Sequence, residues 1–280
     1  MSKKRQGTVF DPVGVPGALV TTFHHEYPDG FVFGEHYHDR DQVIFAHQGV
    51  MTVETSQGMW VLPTSRALWI PSGTPHAVRM SGEVSLRTLY FQPKLVRGLP
   101  RACTIVNISP LLKELILYAC EFESLNSRTP ARRHVIEMLL DLLARSQTVP
   151  LQLPRPVDSR ALKVADFLYS DPRSSVPMEE LCIRAGASKR TIERLFREDT
   201  QMTLGRWRQQ LRLMHGMRLL AQGMNINSVA LEAGYSSPSA FILMFKNALG
   251  TTPGQYFEQN QRSGGKSLGK AAMKFTAQRH

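Results

Sequence analysis

One short helical unit is spelled twice between Met178 and Pro253, and this repeat constrains the fold more than any other feature. The first copy carries Leu181, Cys182, Ala185, Gly186, Ala187, Ser188, Ile192, Leu195, Phe196 and Arg197. The second carries Val229, Ala230, Ala233, Gly234, Tyr235, Ser236, Phe241, Met244, Phe245 and Lys246. The copies stand 48 residues apart up to the turn and 49 after it, so the second holds one extra residue where its second helix begins. Each copy predicts a short helix, a turn centred on Gly186 or Gly234, and a second helix. Glycine enters the left-handed backbone region at no steric cost. Ser188, and Ser236 or Ser237, stand where an N-cap is wanted. Ile192, Leu195 and Phe196 are expected to face inward in one copy, and Phe241, Met244 and Phe245 in the other. Two helix-turn-helix units, over 178–199 and 226–249, in a basic region form a DNA-reading pattern. Between them Leu204 to Gln222 reads as one long helix. It is suited to holding two recognition helices about one DNA turn, roughly 34 Å, apart.

Charge supports this reading. Residues 155–280 hold 19 Lys+Arg against 10 Asp+Glu, a net of +9, whereas residues 1–154 hold 15 against 13, a net of +2. Such asymmetry points to a polyanionic partner for the second half. Cys103, Cys120 and Cys182 show no paired spacing, which fits a reducing compartment and small buried side chains. Met1 to Gln6 is charged without the apolar core of a signal peptide, and no apolar run reaches the ~18 residues of a membrane span. The expected compartment is the cytoplasm, with no membrane partner.

The second copy continues from Ala233-Gly234-Tyr235-Ser236-Ser237-Pro238 through Phe245-Lys246 to Gly250, Pro253 and Tyr256. In this it resembles the signature of the AraC/XylS family of bacterial transcription regulators, and the similarity spans about 159–259. The resemblance implies double-stranded promoter DNA as partner, contact with RNA polymerase, and a homodimer. With helical geometry it places Lys189, Arg190, Glu193 and Arg194 toward the major groove in the first unit. The matching positions in the second are Pro238, Ser239, Ile242 and Leu243. Arginine pairs guanine O6 and N7, so the first unit is expected to read bases by hydrogen bonds. The second is expected to contribute thymine-methyl contacts, shape and phosphate docking. Ser188, Ser237, Arg206 and Lys246 are docking candidates, with Arg208, Arg212 and Arg218 as further phosphate candidates. Where the family often has a glycine after the first recognition helix, this chain has Gln201. Either that helix ends differently or it tolerates a strained cap.

The first ~95 residues read as β. Runs at Gln42–Ala46, Val50–Thr55, Trp60–Leu62, Ala67–Ile70 and Leu86–Phe91 are separated by turn formers such as Gln48-Gly49 and Ser81-Gly82. Two helices follow, each announced by an N-cap and proline, Ser109-Pro110 and Thr129-Pro130. Their stripes are Leu111, Leu112, Leu115, Ile116 and Ala119, then Val135, Ile136, Leu139, Leu140 and Leu143. They suit packing on the β domain or a dimer seam.

His36-Tyr37-His38 sets two imidazoles on one strand face. Gln42 follows His38 by four residues, and Pro71 to Pro75 leads to His76. The spacing resembles the cupin barrel over about 20–92: His-x-His, a carboxylate four on, then Pro-x-Gly-x-x-His. Cupins of that pattern hold a divalent metal through three histidines and a glutamate; here Gln42 takes the glutamate place, and a neutral amide is a poorer ligand. Three readings of His36, His38, Gln42 and His76 stand open. They bind a metal, they line a pocket for a small organic effector, or they form a polar interior without a ligand. Phe31, Phe45, Trp60, Trp69 and Phe91 are candidates for lining such a pocket. Cupins include metal enzymes, but the missing glutamate and the attached DNA-reading half argue against catalysis.

The expected architecture is multidomain. An all-β cupin-like sensory barrel (1–95) with two helices (96–145, a dimerisation candidate) leads through a proline-rich linker (146–158) to an all-α DNA-binding domain (159–259). A basic tail (260–280), expected to be disordered, follows. The expected function is promoter-specific regulation modulated by an effector in the barrel; the alternative is a constitutive regulator whose barrel only dimerises.

Overall fold

The computed structural model describes residues 8–9, 15, 17–146 and 152–256. The basic tail and the first part of the linker lie outside the described residues. The sheet strands up to the first helix are β1 (Thr8–Val9), β2 (Val20–Tyr27), β3 (Val32–Tyr37), β4 (Asp41–Thr55), β5 (Gly58–Leu62), β6 (Arg66–Ile70), β7 (His76–Phe91) and β8 (Thr104–Asn107). Then come α1 (Pro110–Ala119), β9 (Ser124–Leu125), α2 (Pro130–Arg145) and β10 (Gln152–Pro154). The remainder is helical: α3 (Ser159–Ser170), α4 (Met178–Ala185), α5 (Lys189–Thr200), α6 (Leu204–Ala221), α7 (Ile226–Glu232) and α8 (Pro238–Leu249).

Strands β4 and β7 are the spine. They pair antiparallel from Asp41↔Phe91 to Glu54↔Ala77, and each serves two neighbours: β4 pairs β6 and then β5, while β7 pairs β3 and then β2. The turn formers at Gly49 and Gly82 predict a break in each. Instead both glycines sit at positive φ, +78° and +71°, beside register shifts within continuous strands. An extra residue at such a bulge bends a strand without ending it, which is how one sheet curls on itself.

Period-two alternation gives that sheet an inner and an outer apolar face. Ile44, Met51, Val53, Trp60, Leu62, Leu68, Ile70, Val78 and Met80 form the inner cluster. Val43, Phe45, Trp69, Leu89 and Phe91 face outward and are covered by Leu112, Ile116 and Ala119 of α1 and Ile136, Leu139 and Leu143 of α2. Three of the five aromatics expected in a pocket, Phe45, Trp69 and Phe91, therefore pack under these helices. Trp60 belongs to the inner core, and Phe31 is surface-exposed. The two helices start as expected, with the Ser109 and Thr129 hydroxyls accepting from Leu112 N and Arg132 N.

Another stretch of the outer face, Val50, Met59 and Val61, joins the core of the helical domain. Part of the proline-rich segment does not act as a spacer, because β10 pairs antiparallel with β5, Leu153 opposite Met59. Trp207 Nε1 donates to Pro154 O at 2.8 Å, and Tyr169 Oη donates to Glu54 Oε1 at 2.9 Å. Tyr256, the last signature residue, accepts from Ser65 N at 3.4 Å.

Candidate DNA-reading face and barrel site

Each helix-turn-helix is built as the repeat predicts. Gly186 (φ +66°) ends α4, and Gly234 (φ +76°) follows α7. Both glycines take the conformation that a side chain resists. A Cβ on Gly234 would also lie 2.9 Å from Arg212 Nε. Ser188 caps α5 by accepting from Thr191 N, and of the two alternatives in the second unit it is Ser237 that caps α8, accepting from Ala240 N. The extra residue of the second copy is thereby absorbed ahead of Pro238. Ile192, Leu195, Phe196, Phe241 and Phe245 are buried as expected, and Met244 is half-buried. Gln201 adopts the left-handed cap (φ +58°), and its side-chain amide donates to Glu198 O at 3.1 Å. The first unit thus keeps the strained cap.

Lys189, Arg190 and Arg194 are exposed on α5, and Glu193 is half-buried. Arg194 pairs with Glu198 at 2.6 Å on the same helix, and Lys189 stands 3.9 Å from Glu179. On α8, Ser239 and Leu243 are exposed and Ile242 half-buried, with Leu243 59% exposed. Arg206 and Lys246 are exposed, as docking residues need to be. Two other phosphate candidates are occupied elsewhere: Arg212 donates to Pro172 O and Ser174 O, and Arg208 also donates to Ser174 O. Both are half-buried, so they brace the loop after α3.

In the barrel, the structure brings His36, His38 and His76 together, with one ligand nitrogen of each within 4.8 Å of the others. His38 and His76 are buried and His36 is half-buried. Nδ1 of His76 faces Thr74 O at 2.9 Å, and Nδ1 of His36 faces Gly34 O at 2.7 Å. A protonated Nδ1 donating to a carbonyl leaves Nε2 as the lone-pair atom, the arrangement that orients imidazole ligands. His76 Nε2 is buried without a hydrogen-bond partner. Burial holds His36 below its ordinary pKa and His76 down at about 3, with the neighbouring imidazoles adding to the effect on His76. Gln42 lies at the same end. Its Nε2 donates to Thr88 Oγ1 at 3.2 Å and Tyr90 Oη at 3.4 Å, and its Oε1 is buried without a hydrogen bond. Tyr90 stacks edge-on to His38 at 4.8 Å. Thr88 and Tyr90 were not singled out in the sequence; their alternation with Leu89 was the available signal.

Comparison with known proteins agrees with this two-part construction. A helix-turn-helix domain family matches residues 181–259, and an AraC-like ligand binding domain family matches residues 19–156. The chain is 31% identical over 221 residues to the HTH-type transcriptional regulator NimR of Escherichia coli (strain K12), covering 79% of this chain and 81% of the relative. The chain belongs to the AraC family of transcriptional regulators. A second relative, the HTH-type transcriptional regulator RipA of Corynebacterium glutamicum, is 32% identical over 112 residues, 40% of this chain and 33% of that protein. Among solved structures, the DNA-binding domain of AdpA in complex with a target DNA is similar at 26% identity and TM-score 0.36, over 38% of this chain and 96% of that one. ToxT from Vibrio cholerae is similar at 11% identity and TM-score 0.37, over 85% and 98%. This AraC-family chain is a DNA-binding transcriptional regulator with a ligand-binding N-terminal domain. Its relatives are regulators and not enzymes. Among the described residues no helix is long and apolar enough to cross a membrane.

Proposed function

We propose that this regulator chooses its promoter through the first helix-turn-helix and docks through the second, under control of a ligand at the histidine end of the barrel. The observation that carries the division is the contrast between the two recognition helices. α5 offers Lys189, Arg190, Glu193 and Arg194, whereas α8 offers Ser239 between half-buried Ile242 and exposed Leu243. Only the first set holds the arginines that recognise guanine bidentately. Apolar side chains suit the thymine methyl, and Lys246, Arg206 and the cap ends at Ser188 and Ser237 suit phosphates. Site selection from a random duplex pool tests this: Arg194→Ala should relax one base position, and an unchanged preferred site would overturn the assignment.

The barrel residues fit a divalent metal. Three imidazoles, those of His36 and His76 with Nδ1 turned to carbonyls, and the Gln42 amide oxygen nearby form a donor set of borderline softness. A bound ion would add positive charge among these neutral donors. The same end suits a small organic effector, and occupancy would act on transcription by changing domain arrangement, DNA affinity or polymerase contact. Leu111, Tyr118 and Met138 leave an exposed apolar strip on α1 and α2, which supports a homodimer seam. The working compartment of this reading is the cytoplasm.

A further inference from the structure

The β2–turn–β3 segment, whose two strands pair with successive stretches of β7 and not with each other, joins the barrel mouth to the DNA-binding half. Phe23, His25 and Tyr27 alternate along one face of β2, with ring centroids 6.3 Å and 4.6 Å apart in turn. The turn extends the row: Tyr27 lies 4.5 Å from Phe31 and 5.2 Å from Phe33. Phe33 lies 6.0 Å from His36, and His36 lies 4.4 Å from His76. These rings run unbroken from the exposed turn to the buried imidazoles. Glu26 and Arg87 alternate with the lining positions and pair with each other at 3.1 Å on the opposite face. Arg79 stands opposite Val32, out of step with Phe33 and Val78. No lysine, arginine, aspartate or glutamate lies among the ring-bearing positions.

The turn of the same segment touches the other domain. Asp29 Oδ1 accepts from Gly82 N at 2.8 Å and from Gln222 Nε2 at 3.3 Å. Gln222 is the C-cap of α6, the helix between the two recognition units. A Cβ on Gly82 would stand 2.2 Å from Ala221 O, so β7 and the end of α6 are in backbone contact here.

We infer that the β2–turn–β3 segment is the effector-reading element: its rings hold an uncharged, planar aromatic molecule against the imidazole end, and Asp29 passes that occupancy to α6. The inference rests on the reading of the barrel as an effector site. Ring faces and edges along the row favour an aromatic over a saturated ring. An anion would lose hydration there with no lysine or arginine among the described lining positions to compensate it. A ligand that bears on Tyr27 and Phe31 bears on the two ends of the turn that holds Asp29. It therefore acts differently on the docked and undocked states, which is what coupling requires.

Equilibrium dialysis of the full-length chain with 2-naphthol, 2-naphthoate and decalin-2-ol tests the ligand class. The expected result is saturable 2-naphthol binding, with the charged and the saturated analogues about tenfold weaker or worse. Tyr27→Leu should lose about tenfold in 2-naphthol affinity while still binding duplex DNA, and Tyr27→Phe should keep it. Equal binding of 2-naphthoate, unchanged binding by Tyr27→Leu, or uptake of Zn²⁺ with no 2-naphthol binding would overturn the class. For the coupling, 2-naphthol should change wild-type Kd for a selected duplex about threefold or more. Asp29→Ala and Gln222→Ala should bind 2-naphthol normally and lose that change. A full change in both variants overturns the Asp29 route. Binding without any change in the wild type sinks the effector reading and that route together, while the ring site stands.

Discussion

Gly216 and Phe241 meet with no room for a methyl group, since a Cβ on Gly216 would lie 2.6 Å from Phe241 Cε2. Gly216 is on α6, and Phe241 is fully buried in the first turn of α8. The contact sets how closely the second recognition helix approaches the helix that connects the two units. Phe241 is enclosed by Tyr235 and Phe245, at 5.3 Å and 5.9 Å between ring centroids. Gly216→Ala is expected to cost about 1–3 kcal/mol by overpacking, partly offset by about 1 kcal/mol of helix propensity. Thermal unfolding followed by tryptophan fluorescence checks it: Tm should fall, and an unchanged or raised Tm would mean that Phe241 gives way freely.

Gln201 offers the opposite case. Its left-handed conformation costs a non-glycine residue on the order of 1 kcal/mol, and the bond to Glu198 O recovers only part of that. Gln201→Gly should stabilise the chain by some tenths of a kcal/mol up to about 1 kcal/mol, whereas a β-branched Gln201→Val should destabilise it. Urea unfolding of the three proteins side by side separates these outcomes by their midpoints.

The two recognition surfaces should differ in salt dependence. Lys246→Ala removes a phosphate contact, so affinity should fall alike for every duplex and the slope of log K against log salt should drop by about one. Arg194→Ala should instead cost about 1–3 kcal/mol on the preferred duplex and little on others. The Arg194–Glu198 pair is exposed and worth at most about 1 kcal/mol, so it does not prevent the arginine from turning to a base. Filter binding across a salt series distinguishes the two behaviours.

The imidazole end predicts acid sensitivity. His76 is held at about 3 in the fold against 6.5 for the free side chain, and His36 is also lowered, both chiefly by burial. Below 6.5 the unfolded chain takes up protons that the folded barrel refuses. Stability is therefore lost as pH falls from about 6.5 toward 3, by up to about 1.4 kcal/mol per pH unit for His76, with His36 acting in the same direction. His76→Gln should flatten this slope in urea midpoints measured from pH 7 down to 4. An equally steep slope in the variant would place the acid response elsewhere.

The helical half was the more legible because its signals are local. Caps, glycine turns and a helical apolar period each fix a neighbour within a few residues, so α4, α5, α7 and α8 follow from the repeat. The barrel was legible as β, and the three histidines were legible as a set. What failed depended on distant chain. Gly49 and Gly82 read as turns, but partners on both sides keep β4 and β7 continuous through them. Phe45, Trp69 and Phe91 read as pocket aromatics, yet strand parity put them on the face that α1 and α2 cover. Arg208 and Arg212 looked free for phosphate until the loop at Pro172 and Ser174 folded onto them. The Asp29–Gln222 contact joins residues 193 positions apart, and no sequence period reports such a meeting.

Strand β10 also bears on how this protein can be taken apart. It caps β5, whose Met59, Trp60, Val61 and Leu62 are all buried in the intact chain. A barrel fragment ending before Gln152 would present that run as a bare, apolar sheet margin, the kind of edge that recruits another strand. Its self-association in solution would then reflect where the chain was cut, and a dimer measured on such a fragment would say nothing about the assembly of the whole regulator.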